Sequence, residues 1–237
     1  MEKAKTTFQG IYGMMWEKPA LRAELLDKKR TALVIIDMVN GLVREGAMKN
    51  ELAEDIIEPI VELMEFFKEN GMPIVALGDC HEKDSPEFDR YPEHCVKGTS
   101  ETEIVEEIRE AGGYDYIPKS STNGFLEEGF RQWLEEHPDI TDFVVAGVCT
   151  DICVMQFCLT AKAWFDKKGI DSQIILPLNV VETYDQGGHQ ITLTNTMAVY
   201  FMEQNGTKIF YEINLRGTNP IEVFDVEEGK IENGKKS

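Results

Sequence analysis

Residues 142–154 read DFVVAGVCTDICV. An apolar, β-branched run leads into a glycine, and two cysteines follow with Thr150 and Asp151 between them. Such a run suits a strand buried on both faces. The next stretch, DICVMQFCLTAKAWFDKKG (151–169), is a strongly apolar helix closed by a glycine. A buried strand that turns directly into a helix is one unit of an α/β sheet.

The same unit recurs outward from this point. TALVIIDMV (31–39), PIVALGDC (73–80), DYIPKS (115–120), SQIILPLN (172–179) and KIFYEINL (208–215) are the other expected strands. Helical spacing or helix-stop residues mark 51–71, 101–113, 124–137 and 188–206. This alternation predicts an α/β three-layer sandwich, with a mainly parallel six-stranded sheet and helices on both faces. One domain is expected over 1–237, with a core at about 31–215. The first 30 residues and the acidic tail after Leu215 are expected to pack outside the core or on a partner subunit.

The chain carries 24 basic and 43 acidic side chains, a formal charge of −19. Such a surface repels nucleic acid and anionic membranes, so neither is an expected partner. A small molecule is, because the field inside a cleft can oppose the net charge. The N-terminus lacks the apolar segment of a signal peptide, and no stretch is long enough to span a membrane. The five cysteines have no repeated spacing, which argues against a disulfide framework and for a reducing, cytoplasmic location.

Ligands of open α/β sheets sit at the carboxyl ends of the strands. Asp37 ends the first strand, Asp79 the second, Lys119 the third and Cys149 the fourth. Cys153 falls in the opening turn of the following helix, where the helix dipole and a nearby ammonium such as Lys119 favour a thiolate. Asp37 could take and return the thiol proton, and the backbone N–H groups of Cys149 and Cys153 could hold an oxyanion. Cys153 reads equally as a small core residue facing the sheet. The C-x3-C spacing is wrong for a redox pair, and no second cysteine pair completes a zinc site.

A second constellation lies in GDCHEKDSPEFDRYPEHCVKGT (78–99). Asp79 and His81 alternate along an extended chain and so share a face. Glu87 and His94 follow on a loop long enough to fold back. This donor mix suits one divalent ion per subunit, zinc first, with manganese or iron as alternatives. The loop also reads as a solvated acidic segment. The metal is favoured because two of the chain's four histidines fall in it. His137 and His189 are assigned no chemistry.

GVCTDICV resembles the G-V-x-T-D-x-C-V motif of the isochorismatase-like cysteine hydrolases, and within them the nicotinamidases. The resemblance covers about residues 31–215. It implies that Cys153 is the nucleophile and that the Val148–Cys149 peptide is cis, turning the Cys149 N–H into the oxyanion hole. Asp37 in VIIDMVNGLV matches the family's acid, and Lys119 in PKSSTNGF its lysine. D-x-H, P-E and P-x-H-x-x-x-G-T resemble the nicotinamidase metal loop at Asp79, His81, Glu87 and His94. There the metal holds the pyridine nitrogen of the substrate. The resemblance implies hydrolysis of nicotinamide to nicotinate and ammonia, and a homo-oligomer.

Two positions depart from the pattern. Nicotinamidases carry ring-stacking aromatics where this chain has Leu42 and Thr122. Those two residues and Phe125 are the expected substrate-pocket positions. Trp16, Phe125 or Tyr184 could supply the missing stacking face, and each reads equally as core. The rival expectations are a cysteine hydrolase of another small amide or ureido compound, and a non-catalytic ligand-binding protein.

Overall fold

A computed structural model describes residues 2–215 and the backbone of 223–225 and 230–232. From the N-terminus come α1 (Glu2–Trp16), a two-residue strand β1 (Leu21–Arg22), β2 (Thr31–Ile36), α2 (Asn40–Val43) and α3 (Ile57–Glu69). Next are β3 (Ile74–Asp79), α4 (Glu106–Ala111), β4 (Asp115–Lys119), α5 (Glu128–Glu136), β5 (Asp142–Val148) and α6 (Met155–Lys168). The remainder are β6 (Ile174–Pro177), β7 (Val181–Glu182), α7 (Ile191–Gln204), β8 (Thr207–Phe210), β9 (Ile213–Asn214), β10 (Val223–Asp225) and β11 (Lys230–Glu232).

The expected α/β sandwich is present. Six strands run in the order β4-β3-β2-β5-β6-β8, all parallel, and β7 adds to the end of β5. The central strands β2, β3, β5 and β6 are buried throughout and largely apolar because both faces are covered, whereas the edge strand β4 is half exposed. Alternate residues of β2 divide between two cores. Leu33 and Ile35 join Ile60, Leu63 and Phe67 of α3. Ala32, Val34 and Ile36 join Phe130 of α5, Phe157 of α6 and Met202 of α7.

Several boundaries differ from the sequence expectation. The strand expected over 31–39 stops at Ile36, because Asp37 takes a φ of 57° and leaves the extended region. The helix expected over 51–71 opens as a 3-10 turn at Glu51–Ile56. Of 101–113, only Glu106–Ala111 is α-helical. The last expected strand breaks after Phe210, and β9 leaves the main sheet to pair with β1. The N-terminal addition thus contributes a strand, while α1 packs on α7 with no buried residue. Most of the tail after Leu215 lies outside the described residues. Among those described, no helix is long and apolar enough to cross a membrane.

The topology brings the functional residues together. β4, β3, β2 and β5 are consecutive neighbours, so their carboxyl ends form one edge. Asp79 and Lys119 are register partners, as are Ile36 and Gly147. Gly147 has a φ of 112°, and a Cβ there would lie 1.9 Å from the Ile36 carbonyl oxygen. Only glycine lets β5 approach β2 this closely just before the first cysteine.

Candidate active site

Asp37, Lys119 and Cys153 converge from three elements. The Asp37 N–H donates to Leu77 O at 2.8 Å, and its Oδ1 accepts from the Asp79 N–H at 2.9 Å. Its Oδ2 lies 2.8 Å from Lys119 Nζ. The lysine is fully buried, contrary to the usual solvated lysine. It also pairs with Asp79 Oδ1, donates to Ser121 O at 3.1 Å and stands 3.6 Å from Cys153 Sγ.

One ammonium between two buried carboxylates separates their behaviour. Burial and the neighbouring Asp79 push the Asp37 carboxyl up to about 7, against the pull of Lys119 and Cys153. Burial works to raise Asp79 too. Lys119 and the adjacent imidazoles of His81 and His94 overcome it and hold Asp79 well below the usual carboxylate range. Burial opposes the charge on Lys119, but Asp37 and Asp79 keep it firmly protonated. This split produces one acid able to exchange a proton near neutrality and one that stays ionised.

Cys153 differs from the sequence expectation. Burial raises its thiol well above the ordinary value, although Lys119 pulls the other way. Its turn, Thr150–Val154, is of π type, and α6 begins only at Met155. The resting group is therefore a thiol that needs a base, which Asp37 can be. The Cys149 carbonyl accepts from the N–H groups of Ile152 and Val154, on either side of Cys153. The Val148–Cys149 peptide is cis. The Cys149 thiol is pushed up to about 12 by burial and by Asp151. Cys158 is fully buried in the core.

Asp79 connects this cluster to the second constellation. Ligand atoms of Asp79, His81 and His94 lie within 4.8 Å of one another, and all three residues are buried. His81 Nε2 is 3.4 Å from Asp79 Oδ1, and His94 Nε2 is 3.6 Å from Asp79 Oδ2. His94 Nδ1 meets Pro92 O at 2.7 Å, which leaves Nε2 as its ligand atom. Neither ring nitrogen of His81 has a hydrogen-bond partner among the described residues, although both are buried. A buried orphan imidazole beside a carboxylate and a second imidazole fits a divalent ion. Glu87, expected as a fourth ligand, is buried with Oε1 4.0 Å from His81 Nε2, outside that group of three.

The expected pocket residues separate. Leu42 is buried in the core on the α3 side of the sheet. Phe125 packs among Phe130, Phe157 and Trp164, so it belongs to the core and offers no stacking face. Thr122 donates to Gln156 Oε1 at 3.1 Å. Trp16 packs on Tyr12 and Tyr211 at a cavity that Cys153 does not line. Of the proposed aromatics, Tyr184 alone stands by the cluster. It lies close enough to Cys149, Asp151 and Tyr91 to feel their charges, and it stacks on His189 with centroids 3.8 Å apart.

Sequence reasoning missed Tyr91 and His189. Tyr91 feels both Cys153 and Cys149, and its ring meets His94 edge-on. Its place inside the metal-loop segment was a usable sign. His189 Nε2 bonds Asp151 Oδ2 at 2.7 Å, a link across 38 positions that no local pattern announces.

The Isochorismatase domain model matches residues 31–203. The chain belongs to the isochorismatase family. It is 32% identical over 171 residues to Nicotinamidase 1 of Arabidopsis thaliana, covering 65% of this chain and 67% of that protein. The crystal structure of nicotinamidase PncA from Bacillus subtilis superposes with a TM-score of 0.63 at 29% identity, covering 76% of this chain and 99% of that one. N-carbamoylsarcosine amidase from Thermoplasma acidophilum gives a TM-score of 0.64 at 26% identity, over 76% and 95% of the two chains. This chain is a hydrolase of carbon–nitrogen bonds of the amidase type, and it is nicotinamidase-like.

Proposed function

We propose that the protein hydrolyses nicotinamide to nicotinate and ammonia through a thioester on Cys153. The observation that carries this reading is Asp79, which touches both Lys119 of the Asp37–Lys119–Cys153 cluster and the two histidines of the metal triad. A pyridine carboxamide has the two matching features, a ring nitrogen and an amide carbon.

Asp37 takes the thiol proton, and the sulfur attacks the amide carbon. The N–H groups of Cys149 and Cys153 hold the resulting oxyanion. Asp37 returns the proton to the nitrogen, the C–N bond breaks and ammonia leaves. Water, losing a proton to Asp37, attacks the thioester, and the acid departs as the Cys153 thiol reforms. Lys119 offsets the negative charge of the neighbouring carboxylates throughout. A divalent ion held by Asp79, His81 and His94, with Glu87 near His81 Nε2, would bind the ring nitrogen. Tyr91 and Tyr184 offer aromatic faces beside the cysteines.

A second reading is favoured by one observation. Leu42 is core and Thr122 is bonded to Gln156, so neither supplies the ring contact. That suits a smaller amide or ureido substrate, and one similar structure is an N-carbamoylsarcosine amidase. Ammonia release from nicotinamide, with and without a chelator, separates the two. Release that falls when metal is stripped supports the first reading. No release from the folded, metal-loaded protein, together with release from another amide, supports the second.

A further inference from the structure

A cavity of about 370 Å³ lies between α1, α7 and the segment around β7. Its aromatic wall is Tyr12, Trp16 and Tyr211. The Trp16 ring sits 5.8 Å from Tyr12 and 5.9 Å from Tyr211, so the three form one cluster. The polar part of the lining includes Thr150, Glu182, Asn195 and a second carboxylate, Glu212. Glu182 Oε1 accepts from the Thr183 N–H at 2.8 Å and from Asn195 Nδ2 at 2.9 Å, which fixes the carboxylate. Asn195 Oδ1 and Thr150 Oγ1 are buried with no hydrogen-bond partner among the described residues, and Thr150 is 1% exposed.

Buried polar atoms of a folded protein are almost always satisfied. Asn195 Oδ1 and an ionised Glu182 can only accept, so whatever completes them must donate. No lysine or arginine lines the cavity among the described residues, so its carboxylates, Glu182 and Glu212, face no cation from that lining. Three aromatic rings favour a flat apolar body and a cation near a ring face. We propose that this cavity is a second ligand site, taking a small aromatic amine in its ammonium form, with the nitrogen on Glu182 and Asn195 and the ring against Trp16 and Tyr211. The site lies behind the cysteine turn. Glu182 is the register partner of Val148, and Thr150 follows Cys149 directly.

The test is titration calorimetry of the full chain at neutral pH with 2-phenylethylamine as probe and 3-phenylpropionate as its anionic counterpart. The amine should bind saturably, one per chain, and the carboxylate should not. Glu182→Gln keeps the acceptor for Thr183 and Asn195 but removes the charge. Trp16→Ala removes an exposed ring and leaves the core intact. Each should weaken amine binding by about tenfold or more. Absence of saturable amine binding overturns the proposal. So does binding as tight as the parent's by either variant, or equal binding of amine and carboxylate. These outcomes do not depend on which amide is hydrolysed.

Discussion

His189 Nε2 lies 2.7 Å from Asp151 Oδ2, while its Nδ1 meets Tyr184 O at 2.9 Å. Thr183 Oγ1 donates to the other Asp151 oxygen at 2.6 Å. The segment carrying Tyr184 is thereby tied to Asp151, the middle residue of the three between the two cysteines. His189→Ala removes both ties and the stacking partner of Tyr184. KM for the amide should rise about tenfold, with a smaller change in kcat, because positioning of bound substrate is what is lost. Steady-state kinetics checks this. A fall in kcat at constant KM would place His189 in the reaction step instead.

Lys119→Met leaves two buried carboxylates without a cation. Removing one partner of a buried ion pair costs about 3–5 kcal/mol. The urea midpoint should fall accordingly. Adding Asp37→Asn, which removes one orphaned charge, should recover part of the loss. A Lys119→Met protein as stable as the parent would contradict the charge arrangement described above.

The Asp37 carboxyl, raised to about 7 by burial and Asp79, sets the acid side of the pH profile. Above that value it is ionised and can accept the thiol proton. Below it, the protonated carboxyl cannot. The kcat/KM should therefore fall as pH drops through about 7. A flat profile down to pH ~5, near the ordinary carboxylate range, would remove Asp37 as the base.

The two cysteines should respond differently. Cys153→Ala removes the attacking sulfur and should lower turnover by about 10⁴-fold or more, as loss of a nucleophile does in comparable hydrolases. Cys149→Ala keeps the backbone N–H and should retain most activity. Ammonia release measures both. Inactivation by the Cys149 change alone would reverse their roles.

The sheet was legible because its central strands are apolar on both faces and are followed by helical spacing. The strand ends Asp37, Asp79, Lys119 and Cys149 could be placed on one edge from that alternation alone. The ionisation of the edge was not legible. A cysteine at a helix start suggests a thiolate, but burial reverses the balance at Cys153, and burial is a property of the assembled fold. The aromatic near Lys119 misled for the same reason, since Phe125 faces other rings across the core. Asp151 was visible only as a motif letter, because its partners Thr183 and His189 come from a distant loop.

Where β2 ends, the Asp37 side chain takes over from the backbone by accepting the Asp79 N–H at 2.9 Å. The carboxylate thus extends the ladder between β2 and β3 by one more bond. Its position is tied to the sheet rather than to a loop, so the Asp79 amide proton should exchange with deuterium as slowly as those within β3. In Asp37→Ala that amide should exchange much faster while the amides of Val75 and Leu77 stay protected. The base would then be a structural member of the sheet edge, moving only when the sheet itself opens.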